Sequence, residues 1–451
     1  MKERYAYYIL GTFMLILLIT QFIGIPQTLI WDEAAFLGNA RDVYGDSNYT
    51  EWFRNPLPSV IYASTWLVTG ESVLAARLTS ALFGMLALLL TYLIARKHTT
   101  NMWALIVAGI VLANEQFIFW SGFAYGEIIA LTFLLLGIYA LEKEKKWFYG
   151  LSGLAFGLAF LTRFANALII VIAGSYLLFL AWQNKKITPV ISYGLGIFIV
   201  VFPWLLRNMI HYGTPFWDVF EQGRTIAAYT TTEPLLPFII TLISLCILPI
   251  IIITAGVVNG KGKRKQIVWT WWASLVVFII LHCVIIRLKL PRYSLALVPF
   301  LIVIMAHEIG RIKPKKAMAT IIITLLVLTA IMQGAAYAER KDALLYCDEL
   351  IPLMNEELGR VFAQETEPVL GSNVWVHYGY LQNINSRALF TNNWTLYEEK
   401  VHPTHIIYAD ETGHEYDLSI LEQLEVEGTL EKQTSISMDC GSLTLWKVRR
   451  E

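Results

Sequence analysis

The sequence has few charged residues and few cysteines. Charged residues make up 16% of its 451 residues, against about 25% in soluble proteins, while hydrophobic residues reach 56%, against a norm of about 45–50%. This composition argues against a soluble enzyme. Four cysteines are too few for a disulfide scaffold. No internal repeat is found, so a repeat protein is not indicated either.

The formal net charge is zero, but the charges are unevenly distributed. Residues 1–338 contain 26 Lys and Arg against 15 Asp and Glu, whereas residues 339–451 contain 9 against 20. The positive charges lie in short clusters between apolar runs and do not form one polar domain. A large basic surface for nucleic acid is therefore excluded, and no nucleic-acid partner is expected.

The apolar runs are long enough to cross a bilayer, which takes about 17–25 helical residues. We predict eleven spans, at 5–25, 72–95, 102–118, 125–141, 148–162, 165–182, 189–208, 234–258, 267–287, 294–310 and 317–338. The first run ends in Gly24-Ile25-Pro26 without a small-residue cleavage site. It is therefore interpreted as a retained helix and not as a signal peptide.

Positive charges in short loops predict the orientation in the membrane. The clusters occupy every second loop: Lys2/Arg4, Arg96/Lys97, Lys143/Lys145/Lys146, Lys185/Lys186, Lys261/Lys263/Arg264/Lys265 and Arg311/Lys313/Lys315/Lys316. We therefore predict a multi-pass protein of the cell membrane with a cytoplasmic N-terminus. The long loops 26–71 and 209–233 and the C-terminal segment are then extracytoplasmic.

We expect two domains: an all-α membrane domain over 1–338 that carries catalysis, and a small extracytoplasmic α/β domain over 339–451. In the second, helical patterns at 341–360 and 416–426 alternate with strand-like runs at 368–370, 374–376, 405–408 and 443–446. Cys347 and Cys440 lie in this segment and could either pair or remain free. Cys246 and Cys283 fall inside spans and are interpreted as buried apolar residues.

Two adjacent acids, Asp32 and Glu33, directly follow the first span. Carboxylates at the mouth of a membrane helix lose hydration, so they need a cation, a hydrogen-bond network or a catalytic role. The alternative is a helix N-terminus, where acids favour the helix dipole. Glu127 lies just inside the fourth span and is a third candidate acid. Ionisable side chains inside membrane spans are costly to bury and usually belong to a functional site.

Several cations lie on the predicted outer side, against the positive-inside trend. They are Arg77, Arg163, Arg207, Arg224, Arg287, Lys289 and Arg292. A guanidinium at a helix end can hold a phosphate through two hydrogen bonds, and a lysine adds a point charge. Snorkelling, or pairing with the acidic C-terminal segment, is the alternative for Arg207 and Arg224.

No metal site is predicted. The histidines of His402-Pro403-Thr404-His405 have no fixed geometry because a proline separates them in a loop. No cofactor is required by the pattern, although a divalent cation could join an acid and a phosphate and is left open.

These pieces, in this order, resemble the dolichyl-phosphate-mannose-protein mannosyltransferase family. This family of GT-C-fold glycosyltransferases includes protein O-mannosyltransferases and the lipid A aminoarabinose transferase. The resemblance covers residues 20–310 and rests on Asp32-Glu33, Pro56 and Pro58, the stretches 76–84, 157–163, 203–208 and 212–216, Lys289, Arg292-Tyr293 and Pro299.

The resemblance implies an inverting transfer of a sugar from a polyprenyl-phosphate carrier to a protein or glycolipid acceptor at the outer face. Asp32 would act as the base near the acceptor, with Glu33 beside it and Glu127 as a second acid. The donor phosphate would be held by Arg54, Arg207, Arg224, Lys289, Arg292 and Tyr293.

Two positions depart from the family pattern. Arg54 is one residue further from the proline pair than in relatives, and Glu127 stands where Asp is common.

Alternatives from other classes remain open at this point. A lipid-linked sugar transporter or flippase is disfavoured because inverted repeats and paired broken helices are not evident. A non-catalytic lipid-binding or assembly subunit would retain the same acids. Among enzymes, an oligosaccharyltransferase-like block transfer is the second candidate.

Overall fold

The structure is a computed structural model whose described residues fall into two compact units. The described residues are 2–22, 29–45, 47–143, 145–229, 239, 246–259, 266–285, 290–311, 323–324, 326–332, 334–335, 337–338, 350–363, 367–372, 375–389, 394–410, 418–438 and 441–449. The first unit comprises Met1–Gly24, Phe53–Pro58 and Ala76–Glu339, and the second comprises Ile25–Trp52, Ser59–Ala75 and Arg340–Glu451. The second unit thus groups most of the first long loop with the C-terminal segment.

Helices make up most of the described chain. In chain order they are α1 (Glu3–Phe22), α2 (Trp31–Tyr44), α3 (Pro56–Thr69), α4 (Val73–Arg96), α5 (Asn101–Leu112), α6 (Glu115–Ser121), α7 (Gly126–Leu141), α8 (Lys146–Thr162), α9 (Ala167–Asn184), α10 (Thr188–Tyr212), α11 (Trp217–Tyr229), α12 (Ile247–Asn259), α13 (Gln266–Ile285) and α14 (Val298–Arg311). Short 3₁₀ turns over Phe164–Asn166 and Pro291–Leu297 precede α9 and α14.

Five helical segments of the described chain are long and apolar enough to cross a bilayer. They are Glu3–Phe22, Val73–Arg96, Phe164–Asn184, Thr188–Tyr212 and Pro291–Arg311, and α5 with α6 adds a sixth if this bent pair is one span. The protein is therefore a multi-pass membrane protein. These six segments correspond to six predicted spans. The count of eleven and the orientation stay predictions.

The predicted continuous span at 102–118 is wrong in one respect. The chain bends by 68° between α5 and α6. Asn114 lies at the break, and its side-chain oxygen accepts a hydrogen bond from Phe117 N at 3.1 Å. This N-cap starts a new helix where hydropathy alone predicted an uninterrupted one.

Small residues allow α8 and α10 to pack closely. A Cβ atom on Gly153 would overlap the backbone of Tyr193, and one on Gly196 would overlap the backbone of Gly150 and lie 2.7 Å from Leu154 N. Gly194, on the same helix as Gly196, has no atom within 4 Å of an added Cβ. Close backbone approach through glycine is typical of membrane helices.

We expect Gly196→Ala to lower the free energy of unfolding by about 1–3 kcal/mol, because the methyl group must push two backbones apart. Thermal unfolding in detergent measures the change. Gly194→Ala is the matched control and is expected to unfold at or above the wild-type temperature. Equal stability of the two variants would contradict the close packing.

The C-terminal part of the second unit is a small α/β domain, as predicted. It contains α15 (Leu350–Phe362), β1 (Val369–Ser372), α16 (Trp375–Gln382), β2 (Asn385–Ala388), α17 (Trp394–Val401), β3 (His405–Asp410), α18 (Leu418–Val426), β4 (Leu430–Met438) and β5 (Gly441–Val448). The strand order is β2-β1-β3-β5-β4. β1 pairs in parallel with β2 and β3, while β5 is antiparallel to β3 and β4.

Buried side chains cover both faces of this sheet. Leu370, Ile407 and Leu445 pack on one face, and Ile406 and Trp446 pack on the other. Neighbouring residues along β3 and β5 point to opposite faces of the sheet. Because both faces are buried, apolar residues occupy consecutive positions in both strands. The runs predicted at 405–408 and 443–446 are thus buried strands.

The strand predicted at 374–376 is wrong. Trp375 and Val376 begin helix α16, although their residue types favour strands. Packing of α16 against α2 within the second unit outweighs the local propensity.

Cys347 and Cys440, the possible disulfide pair, lie outside the described residues, and Cys246 is a buried free thiol.

Candidate functional site

Three ionisable side chains meet in the first unit. Glu127, the second residue of α7, is 4% exposed. Arg163, directly after α8, donates a hydrogen bond from Nη1 to Glu127 Oε1. Arg292, in the 3₁₀ turn before α14, places its Nε 3.4 Å from the same oxygen. Two guanidinium groups thus share one carboxylate.

A close approach between α7 and the end of α8 brings these groups together. Gly126 opens α7, and a Cβ atom there would lie only 3.1 Å from Thr162 O and 3.2 Å from Pro58 Cγ. Arg163 ends α8 in an extended conformation with φ −153° and ψ 115°. The glycine therefore lets the N-terminus of α7 reach the residue that follows α8, so that Glu127 meets Arg163.

Aromatic rings surround the two guanidinium groups. The Arg292 guanidinium carbon lies 5.4 Å from the ring centre of Trp120, 5.6 Å from that of Tyr125 and 5.8 Å from that of Tyr293. Arg163 lies 5.1 Å from the Tyr293 ring. Cation–π contacts of this kind stabilise and orient an arginine while leaving N–H groups available for hydrogen bonds.

The cluster lines a pocket whose cavity volume is about 40 Å³. Its polar lining residues are Glu127, Arg163, Asn166, Arg292 and Tyr293. Its apolar lining residues are Ala130, Leu131, Leu134, Ala165, Leu295 and Ala296. An apolar wall beside a few converging polar groups is typical of a ligand site, and here it suits an amphiphile with an anionic head group.

Glu127 leaves room for a further ligand at the cluster. Both guanidinium groups contact the same oxygen, Glu127 Oε1, and Glu127 Oε2 is buried without a hydrogen-bond partner among the described residues. Each guanidinium group carries five N–H donors, so an arginine that is paired with a carboxylate can still donate to an anionic ligand.

Three of the other predicted phosphate ligands, Arg54, Arg207 and Arg224, are not among the residues that line this pocket. Arg207 pairs with Asp218 at 3.2 Å, and Arg224 is a 76% exposed side chain that pairs with Glu221 at 2.9 Å in α11. Arg54 lies over the Phe53 ring at 5.7 Å. Lys289 lies outside the described residues. Of the predicted donor ligands, the described pocket lining contains Arg292 and Tyr293.

Arg207 belongs to a separate buried cluster around Asp218. The Asp218 side chain is fully buried and accepts a hydrogen bond from Trp204 Nε1 at 2.7 Å. Burial raises the pKa of the Asp218 carboxyl above its usual value, against the opposing effects of Trp204 and Arg207. The cost of burying the charge therefore exceeds the gain from its partners.

Replacing Asp218 with Asn is expected to change the free energy of unfolding by less than about 1 kcal/mol, because the amide oxygen still accepts the Trp204 hydrogen bond and no charge is buried. Asp218→Ala is expected to cost about 1–3 kcal/mol, since Trp204 Nε1 loses its acceptor. Thermal unfolding in detergent compares the two. A larger loss for Asn than for Ala would contradict this account.

The predicted acid pair lies in the second unit. Glu33 is fully buried, and its Oε2 accepts a hydrogen bond from Ile30 N at 3.4 Å, which closes the N-terminus of α2. The alternative of a helix N-terminus therefore describes Glu33. Asp32 is partly exposed. The catalytic roles of both acids stay predictions.

Arg163 is part of the cluster but was not among the predicted site residues. The sequence marked Arg163 as an unusual outer cation but gave it no role in the site. Its position directly after α8, opposite Glu127 at the start of the preceding helix α7, was the available signal.

Within the described ranges, no group of three or more His, Cys, Asp and Glu residues is placed to hold a metal ion.

The resemblance drawn from the sequence is confirmed. The sequence profile of the family described as dolichyl-phosphate-mannose-protein mannosyltransferase matches residues 54–206. An uncharacterized protein of Aquifex aeolicus (strain VF5) is 23% identical over 369 residues, which cover 76% of this chain and 72% of that protein.

Solved structures share the fold. ArnT from Cupriavidus metallidurans bound to undecaprenyl phosphate superposes with a TM-score of 0.71 at 13% identity, covering 96% of this chain and 97% of ArnT. The Archaeoglobus fulgidus oligosaccharyltransferase tethered with an acceptor peptide gives 0.53 at 12% identity, covering 90% and 69%. The mycobacterial arabinofuranosyltransferase AftD gives 0.60 at 12% identity, covering 100% and 42%. The chain therefore has the GT-C fold of membrane glycosyltransferases.

Proposed function

We propose that this protein is a membrane glycosyltransferase that moves a sugar from a polyprenyl-phosphate donor to an acceptor at the outer face of the cell membrane. The observation that carries the proposal is the pocket in which Arg163 and Arg292 share the single carboxylate of Glu127 beside an apolar wall. The GT-C fold and the undecaprenyl phosphate bound in ArnT support the same ligand class.

The two arginines of the pocket fit the donor. A polyprenyl-phosphate sugar is a phosphodiester with one negative charge, and guanidinium groups bind such a group through charge-assisted hydrogen bonds. The guanidinium groups would hold its phosphate oxygens, and the apolar wall would contact the first isoprene units of the carrier.

The reaction is a single displacement at the anomeric carbon. The acceptor hydroxyl oxygen forms a bond to C1 of the sugar while the bond from C1 to the phosphate oxygen breaks, and the hydroxyl proton passes to a carboxylate. The carrier leaves as a phosphate monoester, which bears one more negative charge than the donor. Arginines at that phosphate thus stabilise the transition state more than the bound donor, which is what accelerates the step.

Asp32 is proposed as the carboxylate that takes the proton, because the resemblance places it near the acceptor nucleophile and because its side chain is partly exposed. Glu33, which caps α2, would support that helix. Glu127 would orient the two arginines and limit the affinity for the phosphate, so that the product carrier can leave.

The proposal is tested with purified protein in reconstituted vesicles that contain radiolabelled polyprenyl-phosphate sugars and extracted cell-envelope acceptors. We expect label to move from one of the donors to an acceptor. No transfer from any donor, with the protein folded and able to bind the carrier lipid, would overturn the enzymatic proposal and favour transport or assembly.

A further inference from the structure

The helix that carries Asp32 and Glu33 is held at its start by a residue of the C-terminal segment. His377, in α16, is fully buried, and its Nε2 lies 2.9 Å from the carbonyl oxygen of Leu29, 348 positions away in the chain. Burial lowers the pKa of His377 to about 4. The ring is therefore neutral at physiological pH, and Nε2–H donates to the carbonyl three residues before Asp32.

The other end of α2 contacts α16 as well. Arg41 Nη1 donates to Tyr380 O at 2.6 Å, and its guanidinium carbon lies 4.4 Å from the Tyr380 ring centre. Arg41 Nε also lies 3.0 and 3.1 Å from the two carboxylate oxygens of Glu71, which in turn accepts the Tyr380 hydroxyl at 3.1 Å. Charge-assisted bonds of this kind fix geometry as well as contributing stability.

Between these two ends, the Tyr49 ring fills the space between α2 and α16. A Cβ atom on Gly38 would lie 2.6 Å from Tyr49 Cδ1, and one on Gly379 would lie 2.6 Å from Tyr49 Cδ2, at the opposite edge of the ring. The ring therefore cannot move away from one helix without entering the other. Asn48 continues the contact, since its backbone N donates to Asn383 Oδ1 at 2.8 Å.

We propose that α16 is the positioning element of the candidate catalytic helix α2, and that His377 is a positioning residue for Asp32. The proposal rests on the proposed function, and it assigns to the C-terminal domain a direct part in turnover. A carboxylate that must take a proton in the transition state needs its helix held to within a fraction of an ångström, and three contacts along α2 supply that restraint.

The first test replaces His377 with Leu, which keeps the bulk and removes the donor, and with Gln, whose amide nitrogen can reach the position of Nε2. In the transfer assay we expect His377→Leu to lower kcat by about 10- to 100-fold, with the donor KM within about twofold of wild type. His377→Gln is expected to recover most of the loss. If His377 were needed only for folding, His377→Leu would lower the amount of folded protein, and the folded fraction would keep the wild-type kcat.

The second test compares two glycines of the C-terminal domain. Gly379→Ala would drive a methyl group into the Tyr49 ring, whereas an added Cβ on Gly359, in α15, meets no atom closer than 3.9 Å. We expect Gly379→Ala to lower kcat by about tenfold or more and Gly359→Ala to retain wild-type kcat.

Unchanged kcat in both His377→Leu and Gly379→Ala, measured on equal amounts of folded protein, would overturn the positioning role. A rise in donor KM with constant kcat would do the same. Failure of the proposed function is a different result, because the wild-type protein itself would then transfer no sugar.

Discussion

Asp32→Asn is expected to lower the rate of sugar transfer by about 10³-fold while the protein still folds and inserts into the membrane. The amide has nearly the shape of the carboxylate, so α2 keeps its packing, but it cannot accept a proton at neutral pH. The measurement is the initial rate with saturating labelled donor and acceptor in reconstituted vesicles, together with thermal unfolding of each preparation.

Asp42→Asn, on the same helix, is the matched control and is expected to retain transfer within about twofold, because general-base effects belong to the group that touches the acceptor. Undiminished transfer by Asp32→Asn would remove Asp32 from the role of base. Glu33→Gln would then be the next variant to measure.

Arg292→Ala is expected to lower kcat/KM for the donor by about 10²- to 10³-fold, the usual loss when one group that stabilises developing charge is removed. Arg163 keeps its bond to Glu127, and the pocket loses one of its two guanidinium groups. Arg292→Lys should lose less, because the charge remains although the planar fork is lost. Donor titrations at fixed acceptor concentration measure these effects.

Arg360→Ala is the control for Arg292→Ala. Arg360 is a 74% exposed side chain that pairs with Glu357 on the same helix, α15, and its loss is expected to change transfer by less than about twofold. A higher KM for the acceptor in Arg292→Ala, with an unchanged kcat/KM for the donor, would place Arg292 at the acceptor and contradict its role in phosphate binding.

The sequence alone predicted the elements whose signal is hydropathy. The long apolar helices and the buried strands β3 and β5 follow from composition and periodicity. The edge strand β4 was not predicted because most of its residues are polar and exposed. Few apolar side chains mark it as a strand in the sequence. Helix α16 was misread as a strand because its packing partner, α2, is more than 300 residues away.

The candidate pocket was predicted in part. Glu127, Arg292 and Tyr293 were named from the sequence because ionisable groups at membrane helix ends stand out against apolar surroundings. The pairing of Glu127 with Arg163 was not named, since it depends on the close approach that Gly126 allows between two helices. Arg207 and Arg224 carry the same sequence signal as Arg292, but each has a carboxylate of α11 as its partner.

The bond between His377 and Leu29 has a consequence for biosynthesis. Leu29 leaves the ribosome 348 residues before His377. At about 5–20 residues per second, α2 waits roughly 20–70 s for the segment that completes its support. During that interval the nascent chain already contains its acidic pair but not the contacts of α2 with α16. Transfer activity is therefore expected to begin only after the α/β domain that contains His377 has been translated and folded. A chain that stalls before this domain would be inserted into the membrane without transfer activity.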